Sequence, residues 1–151
     1  MVWAFIDTNI PMYASGRDHR LKAPSRRIIE AASASRSRFF TDAEVLQELI
    51  HRYQAIKEWR GRGDHVFADF VLVMEGRIEP MFAQDVQRAA QLADVYPILS
   101  ARDLVHLAVM ERAGATAIVT ADTAFDNLAG VERLDPADAE AWLPRFEDED
   151  P

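Results

Sequence analysis

Two patterns of hydrophobic and polar positions alternate along the chain. Short, β-prone apolar runs at 2–6, 38–41, 78–82 and 117–120, with a weaker one at 131–134, are separated by stretches with helical spacing of apolar residues at about 18–35, 42–60, 64–75, 84–94 and 101–113. Continuous apolar runs mark strands buried on both faces, and strands that alternate with helices predict a mainly parallel sheet in an α/β fold. No internal repeat and no Pro/Gly/Ser-rich linker divides the chain. The pattern therefore predicts one domain over 1–146, with the acidic end at 147–151 outside it.

Two of the helical segments carry polar residues that need a reason. Thr41-Asp42-Ala43-Glu44 matches a capping box, which gives Glu44 a structural task. Glu48 has none, and it lies at the border of the apolar stripe made by Val45, Leu46, Leu49, Tyr53 and Ile56. The segment from Ala101 is apolar around most of its circumference, with Asp103, His106 and Met110 sharing the remaining narrow face. A carboxylate on a buried helix needs a partner or a task. Asp103 has one candidate task at once, completing a Ser100-x-x-Asp capping box.

Composition narrows the possible chemistry. At 151 residues and 49% hydrophobic content the chain can build a full core. With no cysteine, disulfide scaffolds, thiolate zinc sites and thiol enzymes are excluded. No apolar run reaches the roughly 18–20 residues that span a bilayer, and the start lacks the basic region of a signal peptide, so a cytoplasmic protein without membrane attachment is expected. The net charge of −8 speaks against a polyanionic partner until its distribution is examined. Residues 17–38 carry a net +5 and residues 52–62 a net +3, whereas 134–151 carry −6. Arg17, Arg20, Lys22, Arg26 and Arg27 are therefore candidates for gripping a nucleic-acid backbone, ordinary helix exteriors being the alternative.

Four acids fall where an α/β sheet binds ligands. Asp7 ends the first apolar run, Asp122 follows the fourth, Asp103 opens the helix leading into the fourth, and Glu48 lies near the start of the helix after the second. Ligands of open α/β sheets bind beyond the carboxyl ends of the strands. Converging carboxylates either protonate or hold a cation, and an oxygen-only pocket suits Mg²⁺ or Mn²⁺. Each acid alone also has a plain reading as a cap, a turn former or a solvated helix residue. Asp126, four residues after Asp122, is expected on the same helix face as a fifth acid or as a surface residue. His106 reads as a packing or supporting residue, and His19, His51 and His65 read as surface residues.

Phe5-Ile6-Asp7-Thr8-Asn9, Val45-Leu46-Gln47-Glu48, Ala101-Arg102-Asp103-Leu104-Val105-His106-Leu107-Ala108, Ile118-Val119-Thr120-Ala121-Asp122-Thr123-Ala124-Phe125-Asp126 and Arg133-Leu134-Asp135-Pro136, in this order, resemble the PIN-domain family and within it the VapC-type toxins of toxin–antitoxin pairs. The resemblance spans nearly the whole chain. It implies a three-layer α/β/α sandwich around four to five short strands and a metal-dependent endoribonuclease. The implied catalytic acids are Asp7, Glu48, Asp103 and Asp122, with Asp7, Asp103 and Asp122 as metal ligands and Thr8, Asn9 and Thr120, together with Asp126, shaping the site. It further implies an RNA substrate, a VapB-type antitoxin and a homodimer.

Competing readings are a non-catalytic PIN-like binding module and a DNA-acting nuclease of the same type. A haloacid-dehalogenase-type phosphatase would need an aspartate where Asn9 stands. A di-metal helical bundle would use Glu48-x-x-His51 and Asp103-x-x-His106, but it leaves the strand-like runs unexplained.

Overall fold

A computed structural model describes residues 3–36 and 38–147. Position 2 of the first expected strand and residues 148–151 of the acidic end lie outside the described residues. In chain order the main elements are β1 (Ala4–Ile6), α1 (Asn9–Ala14), α2 (Lys22–Ala34), β2 (Phe39–Asp42), α3 (Ala43–Ala55), α4 (Asp64–Val73) and β3 (Ile78–Glu79). They continue with α5 (Ala83–Val95), α6 (Ala101–Ala113), β4 (Ala117–Val119), β5 (Glu132–Leu134) and α7 (Ala139–Trp142). Every segment expected from the pattern is present, most with bounds within a few residues of those expected, and three differences have a physical reason.

The expected strand at 78–82 keeps only Ile78 and Glu79, because Pro80 cannot donate to a ladder. The helix expected to reach residue 60 stops at Ala55, where Lys57 takes a positive φ and a turn at Trp59–Gly63 leads into α4. Gly63 makes that turn possible, since a Cβ there would sit 2.5 Å from the Cβ of Tyr53. The third difference is at the entry to α3, where Asp42 and not Thr41 caps the helix, its Oδ1 accepting the Val45 N–H at 2.9 Å. The Thr41 hydroxyl instead donates across the sheet to the Ile6 carbonyl at 2.9 Å. Glu44 is thereby released from the expected capping box.

All five strands run parallel in the order β3-β2-β1-β4-β5. The right-handed crossover rule puts the connections that build outward from β1 to β2 and β3 on one face of this sheet, and the returning connection through α5 and α6 on the other. The sheet core is aromatic at its centre. Phe5, Phe39, Phe40 and Ile118 are fully buried, Phe5 meets Phe40 edge-on at 5.5 Å, and Trp3 stacks on Phe40 at 4.2 Å. Each such side chain contributes about 1.5–3 kcal/mol by leaving water.

Val66 and Phe70 of α4, with Met74 just past its end, are buried in this core. The strand order reverses direction between β1 and β4, and the crevice outside their carboxyl ends is where α/β sheets bind ligands. Among the described residues no helix is long and apolar enough to cross a membrane.

Candidate active site

Asp7 stands at that reversal point, one residue past β1, with its N–H donating to the Val119 carbonyl of β4 at 3.1 Å. Its carboxylate is almost enclosed and accepts hydrogen bonds through both oxygens. Oδ1 accepts the Thr8 N–H at 2.7 Å, while Oδ2 accepts the Thr120 hydroxyl at 2.8 Å and the Asn9 amide at 3.3 Å. The Asn9 Nδ2 also donates to Thr120 Oγ1 at 2.8 Å, and its Oδ1 accepts the Ala121 N–H at 3.1 Å. Asn9 and Thr120 thus stitch the ends of β1 and β4 together around Asp7. Burial pushes the Asp7 carboxyl above its ordinary pKa, against the opposing pull of His106, Thr120 and Thr8.

Glu48 reaches the same point from α3. Its Oε2 accepts the Thr8 hydroxyl at 2.6 Å, and its Oε1 lies 3.8 Å from Arg52 and 3.9 Å from Arg102. Burial disfavours the charged form here too, but the neighbouring His106 imidazole and the Thr8 hydroxyl overcome it and hold the carboxyl below its ordinary range. Glu44, one turn earlier on the same face, lies 3.7 Å from Arg102, and burial raises its carboxyl.

His106 is fully buried between these groups. Its Nδ1 lies 2.8 Å from Asp42 Oδ2, and its Nε2 lies 3.8 Å from Asp7 Oδ1 and 3.9 Å from Glu48 Oε2 with no hydrogen-bond partner. Burial opposes a charge on the imidazole, but the Asp42 carboxylate, with Glu48 and Asp7 beyond it, holds it well above the usual histidine range. Sequence reasoning passed over Asp42 altogether. The available signal was an aspartate at a strand-to-helix junction opposite a histidine on a buried helix, and 64 residues separate the two.

Asp103 and Asp122 stand farther out. Asp103 does cap α6 as expected, Ser100 Oγ accepting its N–H at 3.2 Å and its own Oδ2 facing the Ser100 N–H at 3.4 Å. Burial raises its carboxyl, His106 opposes that rise, and the charge of Asp122 across the crevice adds to it. Asp122 is exposed, donates its N–H to Thr120 Oγ1 at 3.1 Å and caps a single turn at Thr123–Phe125.

That turn is too short and too tight to place Asp126 on a common helix face with Asp122, which corrects the expectation of a shared face. Asp126 instead pairs with Arg133 at 2.7 Å, whose guanidinium also donates to the Thr120 carbonyl at 3.1 Å. Its link to the crevice runs through Arg133.

A cavity of about 220 Å³ lined by Asn9, Met12, Tyr13 and Arg52 adjoins the acids. Of the basic candidates, Arg17 and Arg20 are exposed. Lys22 lies 4.0 Å from Asp18, the Arg26 guanidinium donates to the Ala14 carbonyl at 2.9 Å, and Arg27 pairs with Glu147. His19, His51 and His65 are exposed, as expected.

Asp7, Glu48 and His106 offer donor atoms within 4.8 Å of one another, the one such set among the described residues. Two carboxylates converging on one point fit a divalent cation, because burial makes their negative charge costly and the imidazole beside them offsets only part of it. Asp103 and Asp122 are not in that set.

A PIN-domain family model matches residues 4–131. Ribonuclease VapC13 of Mycobacterium tuberculosis is 39% identical over 129 residues, which cover 85% of this chain and 97% of the relative. Among solved structures, the DNA-bound VapBC of Salmonella typhimurium matches with a TM-score of 0.65 at 18% identity, over 90% of this chain and 99% of that one. VapC20 of M. tuberculosis, a sarcin-ricin loop cleaving toxin, matches with a TM-score of 0.60 at 18% identity, over 82% of this chain and 90% of that one. With the acids held at the β1/β4 crevice and relatives of this similarity, the chain belongs to the PIN-domain family, among the VapC ribonucleases.

Proposed function

We propose that this chain is the toxin of a VapBC-type pair, a cytoplasmic endoribonuclease that hydrolyses RNA phosphodiesters with Mg²⁺ or Mn²⁺. The observation that carries the proposal is the meeting of buried Asp7 with Glu48 at the sheet's reversal point, in a chain so similar to a ribonuclease over nearly its whole length.

Asp7 is the central ligand, with Glu48, Asp103 and Asp122 completing the catalytic set around it. When bound, the cation supplies Lewis acidity toward a phosphate oxygen and a lowered pKa for an attacking water. The protein's own part is orientation and charge. Thr8 fixes Glu48 through its hydroxyl and Asp7 through its N–H, while Asn9 and Thr120 prevent Asp7 from rotating. Arg52 and Arg102 flank Glu48 and offset the repulsion that acids alone would exert on a phosphodiester. Arg17, Arg20, Lys22, Arg26 and Arg27 extend the cationic surface for the RNA backbone.

The same reading assigns residues 1–146 to the catalytic domain. It also gives the chain a homodimeric state and a small antitoxin that places a cationic side chain against the acids. Incubating the protein with structured RNAs in Mg²⁺, Mn²⁺ or EDTA, and mapping the product ends, tests the proposal. Discrete metal-dependent cuts leaving 5′-phosphate and 3′-hydroxyl ends are expected. Folded protein that cuts no RNA with either metal would overturn it.

A further inference from the structure

Resting on that reading, we propose that the cavity beside the acids is a nucleobase subsite, in which one unpaired base of the RNA stacks on the Tyr13–His19 ring pair next to the cleaved phosphodiester. The subsite stands one helical turn out from the acids on both walls. Asn9, which braces Asp7, shares a face of α1 with Met12 and Tyr13, three and four residues on, and Arg52 stands four residues beyond Glu48 on α3. One turn advances about 5.4 Å along a helix, so the cavity lies within a nucleotide's reach of the acids. Its volume of about 220 Å³ is below the roughly 300–1,000 Å³ of sites for drug-sized ligands. A single flat group matches it.

Tyr13 is half-buried and stands outside the hydrophobic core, so core packing does not account for its ring. It stacks on the exposed His19 with ring centroids 4.9 Å apart and planes 26° from parallel. The His19 ring is itself held, because its Nδ1 accepts the Leu21 N–H at 3.1 Å. A fixed pair of rings is a platform that a base extends with little loss of side-chain freedom, and stacking on aromatic side chains is how unpaired RNA bases are bound. Met12 adds a polarisable thioether to the same wall.

Charge frames the platform. The Arg52 guanidinium stands 3.8 Å from Glu48 Oε1, beyond hydrogen-bond length, and so keeps donors for a phosphate on the acid side. Arg17 and Arg20 are exposed on the loop 15–21 that carries His19, and they offer charge to the neighbouring phosphate. A base paired in a duplex is stacked between its neighbours and cannot enter, so the subsite selects single-stranded or looped RNA.

The test is photocrosslinking of the full chain, in an Asp7→Asn background that prevents cleavage, to a uridine octaribonucleotide carrying one 5-iodouridine, a base that couples to a stacked aromatic ring on irradiation. The expected result is a crosslink at Tyr13 or His19 that disappears when the octamer is paired with a complementary strand. Filter binding of the same octamer should weaken about 5- to 150-fold in Tyr13→Leu and stay within a few-fold of the parent in Tyr13→Phe. Because the crosslink needs no change at Tyr13, it stands even where Tyr13→Leu folds poorly. Bound octamer that crosslinks only elsewhere, or folded Tyr13→Leu that binds as tightly as its parent, overturns the subsite and leaves the nuclease in place. An octamer that does not bind also overturns the subsite, and the nuclease reading falls with it only where cleavage of structured RNAs fails as well.

Discussion

The Thr120 hydroxyl donates to Asp7 Oδ2 at 2.8 Å while accepting the Asn9 amide at 2.8 Å and the Asp122 N–H at 3.1 Å. One donor and two acceptor lone pairs are all that a hydroxyl has, and here each is used. Because Thr120 is fully buried, water cannot replace any of them. Thr120→Val keeps the shape and removes all three bonds, so RNA cleavage should fall about 10- to 100-fold, the usual cost of losing a support behind a metal ligand. Stability should drop by about 1–3 kcal/mol in chemical denaturation. Thr120→Ser should stay within a few-fold of wild type, and a Val variant as active as wild type would remove Thr120 from the site.

Asp7 should trade stability for activity. Burial makes its carboxylate costly when no cation is bound, so Asp7→Asn is expected to leave the melting temperature in EDTA unchanged or higher. A ligand at 100 times its dissociation constant adds about 2.7 kcal/mol, or several degrees for a chain of this size. The wild type should show that rise with Mn²⁺, and Asp7→Asn should lose it. Differential scanning fluorimetry of the two proteins with and without metal reads both effects.

Away from the crevice, Arg112 joins α6 to α5 by donating to Asp85 at 2.9 and 3.1 Å and to Glu79 at 3.0 Å. Burial would raise the Asp85 carboxyl, but the Arg112 guanidinium and the Phe82 N–H prevail and lower it. A carboxyl lowered on folding stabilises above its unfolded pKa of about 3.9 and loses that contribution as pH falls through the folded value. The stability advantage of wild type over Asp85→Asn should therefore be full above about pH 5 and shrink toward about pH 2. Urea titrations across this range check it, and an advantage that grows on acidification would contradict the pairing.

The basic candidates should contribute unequally to RNA binding. Each phosphate contact on a single strand adds about 0.7 to the slope of log K against log salt. Arg17→Gln with Arg20→Gln should flatten that slope by about 1.4. Arg27→Gln should change it less, since Arg27 is already paired with Glu147. Filter-binding isotherms in a salt series, using an Asp7→Asn background to prevent cleavage, separate the two cases.

Sequence pattern located the strands because buried parallel strands are contiguous apolar runs, and it located Asp7 because Asp7 follows such a run directly, whereas Thr120 stood inside an expected run and entered only through the family resemblance. It assigned the cap of α3 to Thr41, where Asp42 takes that place. Either residue type caps a helix, and only the register of β2 beside β1 sends the Thr41 hydroxyl to Ile6. With that choice went the Asp42–His106 pair, which depends on how α6 is seated against the sheet and leaves no local trace in either segment. Asp126 was misplaced for a related reason. Four-residue spacing implies a shared face only inside an α-helix, and the chain makes a single tight turn there.

Cleavage of an end-labelled RNA pool under single-turnover conditions, by wild type, Asp7→Asn and Asp103→Asn side by side in Mn²⁺, Mg²⁺ and EDTA, tests the central claim most directly. The account predicts discrete cuts by wild type that vanish in EDTA and fall by about 100- to 1,000-fold in either variant, the scale on which removing one group that stabilises transition-state charge is felt. Cuts that persist at wild-type rates in both variants, or in EDTA, would contradict it.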